Sequence, residues 1–175
     1  MTLLGLILLA LATLIQAQVL PIVLPHLGAD LRPDLLVLLV VAITLVEGVQ
    51  EGIIWGFAGG LLLDLFSPAT RLGTNALALV LVALLASLGL AIPLKASAIM
   101  PLVMVFFGTL FYFVVLMGIR TLTGVPMDWG MSLVRLALPA AAINVLLMPF
   151  CYTLLGWFAD RLRPRLPDEW QTRVQ

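Results

Sequence analysis

Residues 47–66 read EGVQEGIIWGFAGGLLLDLF, and in them Gly48, Gly52, Gly56, Gly60 and Asp64 recur at intervals of four. Glycine costs a helix in water about 1 kcal/mol relative to alanine, so a row of glycines one turn apart serves something other than helix propensity. What it serves depends on the solvent. The chain is 63% hydrophobic and 10% charged, with a mean hydropathy of +1.20. An ordinary soluble domain is roughly half apolar and about a quarter charged. These 175 residues therefore read as one integral membrane protein, with nearly all of the chain needed for spans and none left for a separate soluble catalytic domain.

In lipid the ladder makes sense. Apolar side chains gain little there from meeting one another, and helices associate by close backbone approach across small residues. Gly52, Gly56 and Gly60 form two overlapping GxxxG units, and Gly48 extends the row. Four residues advance about 400°, so the row drifts about 40° per step and fits a helix that crosses it at an angle. The row is a packing groove, whose occupant is either a helix of the same chain or one from another protein.

Working outward, apolar runs of span length lie at about Leu3–Leu24, Asn75–Ile92, Ala98–Ile119 and Ser132–Phe158. The first run lacks a basic segment before it and is too long for a signal peptide, so it is read as a retained span. Residues 33–66 would make a single helix of about 50 Å, too long for one span. The break is placed at EGVQEG, which leaves two short apolar pieces. They are either two short spans or a re-entrant hairpin shielded from lipid by the other helices. The expected fold is all-α: a compact bundle of six transmembrane helices, two of them short, over residues 1–160, with a short solvated tail at 161–175. Lys95, Arg161, Arg163, Arg165 and Arg173 then share a side with the termini, and Arg32, Arg71 and Arg120 lie opposite. The positive-inside rule puts both termini in the cytoplasm and loops 25–32, 67–73 and 121–131 outside.

A few polar residues punctuate the spans. Asp34 follows Pro33 at the start of a helix, where a carboxylate meets the positive end of the macrodipole. Asp64 ends the glycine row, and its candidate partners are Arg71 and the amides at the start of the next helix, near RLGTNAL. It reads as an anchor tying that helix end to the loop beyond, or else as a ligand or ion site. Arg135 lies four residues before Pro139, whose ring displaces the hydrogen bond to the carbonyl of residue 135. Pro149 repeats the device, so the last helix is expected to bend at both prolines, with Asn144 bonding a neighbour. Trp129 reads as an interfacial anchor.

Nine basic and nine acidic residues balance, and no basic run suggests nucleic acid as a partner. Cys151 is the sole cysteine and His26 the sole histidine, so Cys151 reads as a structural thiol and no metal site is expected. There is no Ser/His/Asp set, HExxH or phosphate loop with its lysine. No enzyme and no cofactor is expected.

The stretch LRPDLLVLLVVAITLVEGVQEGIIWGFAGGLLLDLFSPATRLGTNALALVLVALL resembles the bacterial rod shape-determining protein MreD family. The likeness lies in a proline-aspartate pair opening an apolar helix, a short polar break, a glycine-spaced helix ending in GLLLDLFS, and a glycine shortly before NALAL. Length and span count agree over essentially the whole chain. The resemblance implies a multi-pass inner-membrane protein of the cell-elongation machinery with no known enzymatic activity. It also implies direct association with MreC, and a place beside RodA, a class B penicillin-binding transpeptidase and MreB in control of peptidoglycan synthesis. The family is thought similar in fold to the substrate-binding S components of energy-coupling factor transporters, which supplies the alternative function: a vitamin-binding body with its site at the outer loops. On the adaptor reading the ladder face or the bent last helix receives MreC, and leucine at Gly56 is expected to abolish MreC recovery while leaving the protein folded.

Overall fold

A computed structural model describes residues 3–19, 33–66, 72–91, 99–125 and 128–162. His26, Arg32, Arg71, Lys95 and the tail 163–175, on which some of the expectations above rest, lie outside the described residues. Most of those described are helical, and they form six helices in chain order. Helix α1 (Leu3–Leu14) continues into a π-helical stretch, Ile15–Val19. Helices α2 (Leu35–Glu47), α3 (Val49–Phe66), α4 (Thr74–Ala91) and α5 (Ile99–Leu122) follow. The last helix, α6, opens with Trp129–Ser132, widens into a π-helical stretch at Leu133–Ala137 and runs on as Leu138–Leu162. Four stretches are long and apolar enough to cross a membrane: Val49–Phe66, Thr74–Ala91, Ile99–Leu122 and Trp129–Trp157.

The core helix is α2. It packs against all five of the others, and eight of its thirteen residues are buried, including Leu36, Val37, Leu38 and the run from Val40 to Thr44. A helix that is apolar all round belongs inside a bundle, which is what LLVLLVVAITLV dictates. At about 20 Å, α2 is also too short to cross a bilayer of about 30 Å.

The junction between α2 and α3 corrects two expectations. The break is Gly48 alone and not the whole of EGVQEG: its φ of +108° ends α2, its N–H bonds the Thr44 carbonyl at 3.1 Å, and α3 begins at the next residue. That left-handed conformation is the one glycine adopts without penalty. With Val49, Gln50 and Glu51 included, α3 is 18 residues long and spans, while α2 alone is the short piece of the pair. Gly48 is accordingly a turn residue, with nothing within 4 Å of where a Cβ would stand, and does not extend the packing row.

The other glycines of the row lie against helices of the same chain. A Cβ on Gly52 would overlap the Thr44 side chain in α2. One on Gly56 would stand 3.1 Å from the Leu79 carbonyl oxygen in α4 and 3.5 Å from Val40. One on Gly60 would run into the α4 backbone, 2.7 Å from the Asn75 carbonyl carbon and closer still to Ala76. The 40° drift per step carries the groove from α2 at one end to α4 at the other, so one row serves two neighbours. Gly59, adjacent to the row, accommodates Leu9 of α1 and Leu36 of α2. Leucine at Gly56 would therefore push α4 away and disturb the fold, contrary to the expectation stated for it.

Candidate functional site: two buried polar clusters joined on one helix

Two polar clusters are buried in the bundle, and both reach α5. The first is built around Asp34, which is 6% exposed. Asp34 caps α2, its Oδ1 accepting from the Val37 N–H at 3.5 Å. The same oxygen accepts from Gln16 Nε2 at 2.7 Å, while the Leu36 N–H donates to Gln16 Oε1 at 2.8 Å. Gln16 belongs to the π-helical stretch that follows α1. On the other side the Asp34 N–H donates to Asn144 Oδ1 at 3.1 Å, and Asn144 Nδ2 donates to the Asp34 carbonyl at 3.3 Å and to Thr109 Oγ1 at 3.0 Å. Thr109 and Asn144 are fully buried. One cap residue thus ties α1, α2, α5 and α6 together, and every bond answers a backbone or amide group that lipid would leave unsatisfied.

The second cluster is built around Asp64, near the end of α3. Its carboxylate accepts from the N–H groups of Gly73 at 2.9 Å, Asn75 at 3.1 Å and Ala76 at 3.3 Å, and from Asn75 Nδ2 at 2.7 Å. Asn75 Oδ1 in turn accepts from the Tyr112 O–H at 2.6 Å. Asp64 therefore caps α4 from outside that helix, placing its charge on the amides at the positive end of the α4 macrodipole. Gly73 holds a φ of +91°, which turns its N–H toward the carboxylate. Tyr112 is three residues from Thr109, so the two clusters dock one turn apart on α5.

The remaining polar positions stay apart from these clusters. Arg135 lies in the π-helical stretch of α6 and is exposed, as is Arg120 in the last turn of α5. Pro139 is the second residue beyond that stretch, and the Leu138 N–H bonds the Leu133 carbonyl, five residues back: the helix widens where the proline withholds an N–H. Pro149 lies inside α6 with its carbonyl accepting from Thr153 Oγ1 at 2.7 Å. At the opposite end of the bundle Leu45, Gly89, Leu90, Met100, Pro101 and Tyr152 line a crevice of about 170 Å³, below the roughly 300–1,000 Å³ usual for small-molecule sites.

Gln16, Thr109, Asn75 and Tyr112 were not singled out from sequence as cluster members. A polar residue inside an apolar run is itself a pointer in a membrane chain, and Gln16 in LIQAQ carries that signal. Among the described residues no buried side-chain nitrogen or oxygen lacks a partner, and no group of three His, Cys, Asp or Glu residues converges. The polar side chains of both clusters bond one another and the backbone of neighbouring helices.

These elements define a multi-pass, all-helical membrane protein whose buried polar residues lock helices to one another. The family described as rod shape-determining protein MreD matches residues 1–158, and the chain belongs to that family. Comparison with curated proteins and with solved structures gives no match.

Proposed function

We propose that this member of the MreD family acts in rod-shape determination as a non-enzymatic adaptor of the cell-elongation complex, binding MreC directly. Through MreC it joins RodA, a class B penicillin-binding transpeptidase and MreB in the control of peptidoglycan synthesis. The family match over residues 1–158 carries this reading. The protein lies in the bacterial inner membrane with both termini in the cytoplasm, as the distribution of basic residues supports, so that Asp64 lies toward the outer face and Gly48 toward the inner one.

With the glycine row occupied by α2 and α4, we assign the MreC transmembrane helix to the other candidate surface, α6. Leu146, Phe150, Leu154 and Trp157 are 79%, 69%, 44% and 48% exposed and recur at intervals of three or four, forming one stripe. Asp34, Asp64, Asn144 and the glycines at 52, 56 and 60 serve by holding that stripe in place.

A pull-down of the tagged protein from native membranes, with mass spectrometry of proteins and small molecules, tests the reading. Recovery of MreC with the wall synthases is the expected result. Recovery of energy-coupling ATPases or a retained vitamin would overturn it in favour of a substrate-binding component. Replacing Leu146 and Phe150 together by alanine should lower MreC recovery roughly tenfold, the effect of losing one or two interface anchors, without changing the size-exclusion profile. Undiminished recovery would remove α6 as the docking surface.

Asn144→Leu should destabilise the bundle without altering any exposed face. It strands the Asp34 N–H, while the Asp34 carbonyl keeps the Leu38 N–H at 3.1 Å, and a buried group left unpaired costs about 1–3 kcal/mol. A thermal midpoint in detergent equal to that of the unmodified protein would show that the Asp34 cluster contributes nothing.

A further inference from the structure

The α5–α6 hairpin carries two exposed guanidiniums that the assembly of the bundle does not use. Arg135 lies within a membrane span, six residues past Trp129, and thus about 9 Å in from that end of α6. Arg120 lies two residues from the end of α5, and α5 packs against the π-helical stretch that bears Arg135. Around them the surface is apolar: Leu122, Val134, Met131 and Leu136 are 88%, 62%, 51% and 46% exposed. The nearby carboxylate of Asp128 is engaged as a cap, its Oδ1 accepting from the Met131 N–H at 3.0 Å.

A cation exposed on the flank of a span requires an anion or water at the end of its side chain. Arginine presents a planar fork of N–H groups that matches a phosphate in two-point contact, and the flanking side chains match hydrocarbon. Arg135 is exposed within the π-helical stretch, a widening that often marks functional positions. We propose that Arg135, with Arg120, seats the phosphate of an anionic membrane lipid whose acyl chains lie along the exposed apolar side chains of this hairpin. The site is independent of the α6 stripe given to MreC and does not rest on that assignment.

Native mass spectrometry of the full chain, released from nanodiscs containing equal phosphatidylglycerol and phosphatidylcholine, tests the site. The unmodified protein should retain phosphatidylglycerol in roughly tenfold preference, and Arg135→Gln combined with Arg120→Gln should bring retention to parity. Arg135→Lys keeps the charge but loses the fork, and should leave an intermediate preference. Absence of preference in the unmodified protein, or full preference in the double variant, would overturn the proposal. Displacement of the lipid by millimolar inorganic phosphate would also overturn it, by showing a site for the free anion. Should the double variant fail to fold, the unmodified protein and Arg135→Lys still decide the matter.

Discussion

Gly60→Leu is expected to yield no monodisperse bundle in detergent, whereas Gly118→Leu is expected to yield one. The two glycines differ in what surrounds them. At Gly60 a Cβ would meet the backbone of Asn75 and Ala76, while at Gly118 nothing lies within 4 Å. Over-packing against flexible side chains costs about 1–3 kcal/mol, and more when the obstacle cannot change rotamer. Backbone cannot, so α4 must leave α3 altogether. The shift would pull the Asn75 and Ala76 amides off Asp64 as well, and a loss above about 3 kcal/mol is a large part of the 5–15 kcal/mol that holds a typical domain. Fluorescence-detected size-exclusion chromatography reads the result directly. A sharp, unshifted peak for Gly60→Leu would mean that the α3–α4 seam is not the close contact described here.

Asp64→Ala should lower the thermal midpoint most among changes at the second cluster. It removes the acceptor of four N–H groups, those of Gly73, Asn75 and Ala76 and the Asn75 side-chain amide. Buried donors left unpaired cost about 1–3 kcal/mol each, while polar pairs in membrane proteins average about 0.6 kcal/mol. A total of about 3 kcal/mol lies between these bounds. Asp64→Asn keeps one carbonyl acceptor but turns an NH₂ toward N–H donors, so it falls between wild type and Asp64→Ala. Tyr112→Phe removes one bond, to Asn75 Oδ1, and costs about 1 kcal/mol or less. The order Asp64→Ala, Asp64→Asn, Tyr112→Phe is the test. Equal midpoints for the first and last would show that the carboxylate does not cap α4.

Much of this architecture was legible in the sequence because lipid simplifies the reading. Apolar runs give the long helices, and a four-residue glycine period gives a close seam on α3 whatever its occupant. The occupant was not legible, since a groove of glycines fits any smooth helix and only the fold brings Thr44, Leu79 and Ala76 to it. The exact end of α2 was hidden for a different reason. EGVQEG carries four polar or flexible residues in addition to Val49 and Gly48, and propensity cannot say that a single positive φ at Gly48 is enough. Asp34 and Asp64 stand out as charges in apolar surroundings, and the amides opening the next helix, near RLGTNAL, could be named as candidates for Asp64 by chain proximity. Asn144 and Gln16 could not be matched to Asp34, because they lie 110 and 18 residues away and nothing in the local pattern links them.

The 110 residues between Asp34 and Asn144 also set an order of events during synthesis. A chain inserted from its N-terminus has α2 in place long before α6 emerges, and until then the Asp34 N–H and carbonyl have no Asn144 to meet. The same holds, over a shorter interval, for Asn75 and the Tyr112 hydroxyl. The early helices therefore wait in the membrane with an unfinished centre, and the arrival of α5 and α6 closes it. A chain cut short before residue 144 would keep that gap at its centre, with the Asp34 N–H still lacking its acceptor.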